Sequence, residues 1–293
     1  MRIAITGAAG LLGDKILRVA SADDTLLPTH RSVAPTESSL KMDVADIGQV
    51  HERLLALRPD AVIHAAALTN VDECERDRER ATLVNSLGTR NIAEVCRQLG
   101  CRMIYVSTDY VFDGESGMYV ETDTPSPINH YGSTKLEGEG HVMGLCEDYA
   151  ICRTSVLYGW HPRKNNFATW IIDSLKKGQP IRVVDDHYNS PTLADNLAEV
   201  LLEVAHRPLS GVFHTAGAER ISRYDFAVRL ARTFNLDPDL IAGVEMKDLR
   251  LWVARRPPDS SLNVGRAERV LKTRLMKVED SLKTMLERKP ASL

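Results

Sequence analysis

Residues 2–19 read RIAITGAAGLLGDKILRV, and this stretch decides the fold. A short apolar run ends at Thr6, glycines follow at positions 7, 10 and 13, and apolar residues then recur at helical spacing. Glycine supplies the backbone freedom that a tight turn requires. The pattern therefore predicts a strand, a glycine turn and a helix.

The same alternation continues over the first half of the chain. Further strands are predicted at 25–28, 61–66, 103–107 and 149–153, and helices at 47–57, 79–99 and 133–145. Parallel strands joined by helical crossovers form a sheet covered on both faces. We therefore expect an α/β doubly wound parallel sheet, the Rossmann fold, with ligands at the carboxyl ends of the strands.

The composition is that of a globular protein, with 43% hydrophobic and 26% charged residues among 293 and a net charge of −3. That balance gives no general attraction to nucleic acid or to an anionic membrane. The five cysteines form no C-x-x-C pair and the nine histidines no metal-binding motif, so we expect reduced thiols and no metal. Since no signal-peptide pattern and no apolar run of roughly 18 residues is present, we expect a cytoplasmic protein.

The glycine turn has a chemical use as well as a structural one. Backbone N–H groups and the helix dipole after such a turn can hold a pyrophosphate. At the first strand–helix junction of an alternating chain, the turn predicts a dinucleotide site; its residues are Gly7, Gly10, Leu11, Leu12 and Gly13.

The chain thus divides into two expected parts. Residues 1–155 are predicted to form the dinucleotide-binding domain, and residues 156–293, where proline-containing turns separate the helices, a smaller C-terminal α/β substrate lobe. Two apolar stretches of the lobe, 181–184 and 211–215, are expected to return to the first sheet. Helices of the lobe are predicted at 167–177, 193–205, 224–234 and 278–288.

The end of the second strand bears on the choice of cofactor. Sites for NAD usually carry an acid about 20 positions after the glycine turn. Residues 29–32 read THRS, with no acid and with Arg31 placed to bind a 2′-phosphate. We expect NADP(H) to be preferred and NAD(H) to be possible.

Asp43 and Val44 follow a short third strand, where Asp43 can bind the adenine amine. Asp46 in the same stretch is a competing candidate, as a helix N-cap.

Tyr131 and Lys135 form a second constellation. At i, i+4 on a helix the phenol and the ammonium share a face, and the cation can lower the pKa of a tyrosine from its usual value near ~10. Tyr131 is therefore a candidate proton donor. An exposed helix pair has the same spacing, but Ser107-Thr108-Asp109 ends an upstream strand and would project hydroxyls into the same cleft.

Two charged segments allow a structural or a functional interpretation. Residues 72–80 are dense in charge, and Asp72 with Arg76 at i, i+4 predicts ion pairs on an exposed helix face. Arg255 and Arg256 precede Pro257, and they form either a contact to a substrate phosphate or an exposed loop.

Motifs along nearly the whole chain form one set: Gly7-x-x-Gly10-x-x-Gly13, STDYVFDG at 107–114, Tyr131-x-x-x-Lys135, Arg153-Thr154, Pro191-Thr192 and Arg256-Pro257. Together they resemble an extended short-chain dehydrogenase/reductase of the dTDP-4-dehydrorhamnose reductase family, and segment 107–114 is the most specific of them. The resemblance implies an enzyme of dTDP-rhamnose-type biosynthesis, in which an NAD(P)H hydride reduces the 4-keto group of a nucleotide-linked 6-deoxysugar.

The resemblance also implies residue roles. Thr108 would hold the carbonyl oxygen, Tyr131 would protonate it, and Lys135 would bind the nicotinamide ribose and lower the pKa of the phenol. The family's small-residue stretch beside the cofactor corresponds to Ala65, Ala66 and Ala67, for which close packing is the simpler alternative. The substrate side would be lined by Thr108, Asp109, Val156 and Arg256.

The substrate side departs from the family pattern. The reductases usually carry a tryptophan where Val156 stands, and valine offers less contact area unless an aromatic neighbour replaces it; the candidates are Tyr158, Trp160 and Tyr188. Residues 186–192 read DHYNSPT in place of the usual D-Q-x-G-x-P-T. These differences leave the sugar open.

A related branch, the regulatory subunit of methionine adenosyltransferase, shares the segment at 107–114 and binds NADP with little or no turnover. Residues 156–159, VLYG, and 211–214, GVFH, resemble that branch. Two functions stay open: a nucleotide-sugar reductase and an NADP-binding regulatory subunit. We expect a nucleotide-sugar substrate, no nucleic-acid or membrane partner, and a homodimer as a possible assembly.

Overall fold

The computed structural model describes residues 1–248 and 252–290. In these ranges the strands are β1 (Arg2–Thr6), β2 (Thr25–His30), β3 (Leu40–Lys41), β4 (Ala61–His64), β5 (Arg102–Thr108), β6 (Tyr149–Thr154), β7 (Leu157–Tyr158), β8 (Ile181–Val184), β9 (Tyr188–Asn189), β10 (Thr192–Leu193), β11 (Gly211–His214), β12 (Ile221–Ser222) and β13 (Ile241–Val244). The α-helices are α1 (Leu11–Val19), α2 (Ile47–Leu57), α3 (Val71–Arg76), α4 (Arg78–Ala81), α5 (Gly88–Leu99), α6 (His130–Leu145), α7 (Phe167–Lys176), α8 (Ala194–His206), α9 (Arg223–Thr233), α10 (Gly265–Val270) and α11 (Val278–Glu287). None of the helices in these ranges has the length and apolar character to cross a membrane.

A seven-stranded parallel sheet forms the centre, in the order β11-β6-β5-β4-β1-β2-β3. The strand order reverses at β1, which lies between β2 and β4. Crossovers leave in opposite directions at such a point and open a crevice at the carboxyl ends of the strands. The predicted doubly wound α/β fold is confirmed, and the glycine turn lies at the crevice.

The two returning stretches behave differently. β11 joins the sheet edge in parallel with β6, in the register Gly211↔Ala150. The expectation that 181–184 also extends this sheet is wrong, because β8 pairs with β13 in a separate two-stranded sheet. The edge next to β6 is already taken by β11, and the apolar residues Ile181 and Val183 pack instead with Phe226 of α9.

Separate hydrophobic clusters cover the two faces of the sheet. One contains residues of α1 and α8, and the other contains residues of α2, α5 and α6. α8 was predicted as a helix of the substrate lobe, yet Leu197 and Leu201 pack with Ile3 and Ile5 of β1. A third cluster, around Tyr158 and Phe226, lies in the C-terminal part.

The helix predicted at 79–99 is interrupted. A π-helix at Thr82–Leu87 joins α4 to α5. Within it the buried Asn85 accepts a hydrogen bond from the Leu68 N–H at 2.7 Å and donates one to the Leu68 carbonyl at 3.1 Å. The wider turn thus holds the segment that follows β4, as π-bulges near functional sites often do.

A buried ion pair fixes α6 against the sheet. Glu139 accepts hydrogen bonds from Arg153 Nε at 2.9 Å and Nη2 at 2.7 Å, and Ser107 Oγ donates to the same carboxylate at 2.6 Å. Arg153 is 3% exposed and Glu139 fully buried. Since Ser107 belongs to β5 and Arg153 to β6, one carboxylate joins three elements.

We predict that Glu139→Ala lowers the free energy of unfolding by about 3–5 kcal/mol, because it leaves the Arg153 guanidinium buried without its partner. Urea unfolding at pH 7 measures the change. The control is Glu94→Ala, which removes an exposed pair with Arg90 and should move the midpoint little. A similar small shift for both variants would contradict the structural role of Glu139.

Candidate active site

A cavity of about 560 Å³ opens at the carboxyl ends of β1, β2, β4, β5 and β6. It lies where the strand order reverses, the place at which doubly wound sheets bind ligands. The residues assigned from the sequence to the cofactor all line it: Gly7, Gly10, Leu11, Leu12, Gly13, Arg31, Asp43, Val44, Ala65, Ala66, Ala67, Tyr131 and Lys135. The proposed catalytic Thr108 and the substrate candidates Asp109 and Val156 line the same cavity.

The glycine turn packs too closely for side chains. Gly7 has a φ of 72°, and a Cβ there would lie 2.8 Å from the Ala66 backbone nitrogen. At Gly13 a Cβ would lie 2.5 Å from the Gly7 carbonyl oxygen. Gly10 is the N-cap of α1, and no side chain caps this helix. The free N–H groups at the start of α1 therefore remain for a ligand, and the turn fits a pyrophosphate.

Asp43 and Asp46 have separate places. Asp46 caps α2 by accepting a hydrogen bond from the Gln49 N–H at 3.1 Å, whereas Asp43 lies on the cavity wall and accepts one from the Ala45 N–H at 3.0 Å. The N-cap and the adenine contact are therefore compatible rather than competing.

A buried histidine joins β1 to β4 beneath the site. His64 forms hydrogen bonds with Thr6 Oγ1 at 2.6 Å and with Thr89 Oγ1 at 3.1 Å, and Thr6 Oγ1 in turn accepts one from the Ala66 N–H at 3.2 Å. Burial lowers the pKa of His64 to about 3, and the charge of Lys135 acts in the same direction. His64 is therefore neutral in the folded protein.

Lys135 is buried and bound to the end of β5. Its Nζ donates to the Val106 carbonyl oxygen at 2.8 Å and lies 4.1 Å from the centroid of the Tyr105 ring. Burial lowers the pKa of Lys135 to about 7, against the opposing effect of the Glu139 carboxylate. The side chain therefore changes charge near neutral pH.

At Tyr131 the structure differs from the expected pKa shift. Burial raises the pKa of the phenol above its usual value, while a hydrogen bond with Thr108 opposes this and the charge of Asp109 adds to it. The Lys135 ammonium is held by the Val106 carbonyl, and desolvation dominates at the phenol. Tyr131 therefore keeps its proton at neutral pH, which is the form that a proton donor requires.

A buried cluster of hydroxyl groups and one carboxylate lies at the end of β5. Thr108 Oγ1 donates to Asp109 Oδ1 at 3.0 Å, and Ser155 and Ser260 donate to Asp109 Oδ2 at 2.7 and 2.5 Å. Burial raises the pKa of Asp109, and these hydroxyls oppose the shift. Ser107 lines the cavity as expected, and its hydroxyl donates to Glu139.

Arg256 lies apart from the cavity wall. Its Nη2 is 3.0 Å from Asp72 Oδ1, and its guanidinium lies 5.3 Å from the ring centroid of Trp252. This pair also replaces the predicted pairing of Asp72 with Arg76, because the segment after Trp252 folds back over the start of α3, where Asp72 accepts the Ala254 N–H.

Val156 lies on the cavity wall with a φ of 35°, which is rare for a β-branched residue. The aromatic candidates to replace a tryptophan there do not line the cavity. Tyr158 is buried with its hydroxyl bound to Ser281, Trp160 donates to the Met285 carbonyl, and Tyr188 lies under the Arg220 guanidinium. That side of the cavity is lined by Leu157, Lys164, Asn165, Asn166 and Arg223.

Several wall residues were not found from the sequence. On the cofactor side they include His30, Ser32, Val33 and Met42. On the substrate side, segment 164–166 carries no motif that could have revealed it. Arg223 had a usable signal, because it follows a strand pattern and the N-cap Ser222, which accepts the Asp225 N–H at 2.9 Å.

The chain is similar to known proteins over nearly its full length. Residues 1–290 match the family described as RmlD substrate binding domain. The dTDP-4-keto-6-deoxy-D-glucose reductase of Streptomyces niveus is 36% identical over 254 residues, 83% of this chain and 85% of that protein. Methionine adenosyltransferase 2 subunit beta of Xenopus tropicalis is 31% identical over 278 residues, 92% of this chain and 82% of that protein. The crystal structure of dTDP-4-dehydrorhamnose reductase from Bacillus anthracis in complex with NADP matches with a TM-score of 0.91 and 30% identity, covering 98% of this chain and 99% of that chain.

We predict that acid destabilises the protein through His64. An unfolded imidazole titrates near ~6.5 and the folded one at about 3, so the unfolded state binds more protons between these values. Stability is therefore full above pH 6.5 and falls as the pH decreases toward 3, by up to about 1.4 kcal/mol per pH unit.

Urea unfolding of the wild type and of His64→Gln between pH 7 and pH 4 measures this slope, which should be shallower in the variant. His51→Gln, which changes an exposed histidine on α2, is the matched control and should keep the wild-type slope. Equal slopes for the wild type and His64→Gln would show that protonation of His64 does not lower the free energy of unfolding.

Proposed function

The chain belongs to the RmlD substrate binding domain family, and from this premise we propose that it is an NAD(P)H-dependent reductase of the 4-keto group of a nucleotide-linked 6-deoxysugar. The observation that carries the proposal is that one cavity contains both the uncapped start of α1 and the side chains of Thr108, Tyr131 and Lys135. The names of the similar proteins from Streptomyces niveus and Bacillus anthracis support the same reaction class.

We propose that NADP(H) is preferred and that NAD(H) can also bind, with hydride as the group that the cofactor supplies. The Gly7–Gly13 turn and the start of α1 would hold the pyrophosphate. Asp43 would face the adenine, and the exposed Arg31 on the cavity wall would face a 2′-phosphate. The Bacillus anthracis structure is a complex with NADP, which supports this preference.

The catalytic roles follow from the protonation states. Thr108 would orient the ketone oxygen through its hydroxyl. Tyr131, protonated at neutral pH, would donate its proton to that oxygen as hydride reaches the carbon. The buried Lys135 would stabilise the phenolate that forms and hold the nicotinamide ribose, and it does so only while it is charged.

We also propose how the parts of the chain contribute. Residues 1–155, with α8 and β11 packed on them, would form the dinucleotide-binding domain, and the remainder of 156–293 would form the substrate lobe. A homodimer and a cytoplasmic location remain predictions. The described cysteines are buried free thiols, which suits a reducing compartment; they are Cys74, Cys96, Cys101, Cys146 and Cys152.

The regulatory-subunit alternative is supported by the similarity to methionine adenosyltransferase 2 subunit beta of Xenopus tropicalis. A regulatory subunit would need the same cofactor-binding residues, but it would not need Tyr131 as a proton donor. Turnover therefore separates the two functions.

We predict that Arg31→Ala weakens NADPH binding by about 1.5–3 kcal/mol and leaves NADH binding unchanged, because only NADPH carries the 2′-phosphate. Titration calorimetry with both cofactors gives the two affinities. Arg97→Ala, an exposed arginine of α5, is the control and should change neither. Equal losses for NADPH and NADH would remove Arg31 from the 2′-phosphate site.

We predict that Tyr131→Phe retains NADPH affinity while kcat falls by roughly 10²–10⁴-fold, since only the proton donor is lost. Lys135→Met should reduce both affinity and kcat. NADPH oxidation is followed with a panel of nucleotide-linked 4-keto-6-deoxysugars, and Tyr149→Phe at the remote start of β6 serves as the control. Tight NADPH binding with no oxidation by the wild type across the panel would favour the regulatory subunit, and full turnover by Tyr131→Phe would exclude the mechanism.

A further inference from the structure

Arg223 is a cation of the substrate side that the mechanism above does not use. It is the first residue of α9, and its backbone N–H donates to the His187 carbonyl at 3.0 Å. Its side chain lines the same cavity as Asp109 and Tyr131. The guanidinium lies 4.6 Å from the centroid of the Phe167 ring. This contact restricts the orientation of the guanidinium group.

Arg223 has no ion-pair partner among the described residues. Arg153 is paired with Glu139 and Arg256 with Asp72, whereas no carboxylate in residues 1–248 or 252–290 forms an ion pair with Arg223. Its Nε is buried and has no hydrogen-bond partner in these ranges.

Asp109 attracts the Arg223 charge but forms no ion pair with it in the described residues. Asp109 accepts hydrogen bonds from Ser155, Ser260 and Thr108, and burial raises the pKa of its carboxyl. Burial lowers the pKa of the Arg223 guanidinium and the charge of Arg256 acts in the same direction, while Tyr110 and the charge of Asp109 oppose the shift. A desolvated guanidinium without an ion-pair partner is costly, and an anionic ligand in the cavity would reduce that cost.

We propose that Arg223 binds the phosphate oxygens of the substrate's diphosphate, resting on Phe167 as its support, and this inference rests on the proposed function. The planar guanidinium offers paired N–H donors that match two oxygens of one phosphate. A diphosphate is common to the dTDP-, UDP- and GDP-linked sugars, so the contact selects for nucleoside diphosphate sugars and against free sugars. Val156 offers the sugar less contact area than a tryptophan would, and the phosphate contact adds an anchor for the substrate.

The test compares nucleoside diphosphates with their nucleosides on wild type and Arg223→Met. Titration calorimetry uses dTDP, UDP and GDP against thymidine, uridine and guanosine. At least one diphosphate should bind the wild type, and Arg223→Met should weaken it by about 10–100-fold while nucleoside and NADPH affinities stay the same. Arg229→Met, an arginine of the same helix paired with Glu219 at the surface, is the matched control and should bind like the wild type.

The outcomes separate this inference from the proposed function. Unchanged diphosphate affinity in Arg223→Met, or equal losses for diphosphate and NADPH, would overturn the role of Arg223 even if the wild type oxidises NADPH with a ketosugar. Absence of diphosphate binding by the wild type would overturn it too. If Arg223→Met does not fold, Arg223→Lys, which keeps the charge but not the paired donors, should show a smaller and equally selective loss. The proposed reductase function is tested separately, by NADPH oxidation with the panel of nucleotide-linked 4-keto-6-deoxysugars.

Discussion

The site depends on the close approach of the turn after β1 to the end of β4. Gly7 lies against the Ala66 backbone with no room for a Cβ, and Gly13 lies equally close to the Gly7 carbonyl. Thr6 Oγ1 holds the same two strands together from below, because it forms a hydrogen bond with His64 and accepts one from the Ala66 N–H. Because these contacts set where α1 begins, they also set where its free N–H groups meet a ligand.

A second constraint connects the core to the chemistry. Glu139 is buried on α6, four residues after Lys135 and eight after Tyr131, and it binds side chains of both β5 and β6. The same carboxylate opposes the fall in the pKa of Lys135 that burial produces. One group thus orients the helix that carries the proposed acid and helps to keep its neighbouring lysine charged.

The sequence is a good guide to features that depend on local backbone chemistry. The glycine turn, α2 at Ile47–Leu57 and the strand that ends in Thr108 follow from residue types and spacing. It is a poorer guide to features set by distant parts of the chain. The partner of Asp72 is Arg256, far along the sequence, so helical spacing could not find it.

The remaining differences have the same origin. The pKa of Tyr131 rises because the phenol is buried, and its surroundings come from separate parts of the chain, including Cys74, Thr108 and Tyr110. The orientations of Tyr158 and Trp160 depend on α11, which supplies Ser281 and Met285.

The return of α8 and β11 to the sheet has a consequence for how the protein is made. During synthesis the apolar face under α8 and the open edge of β6 stay uncovered until residue 214 has left the ribosome. The nascent chain is therefore more prone to aggregation at that stage than after α8 and β11 have packed on the sheet.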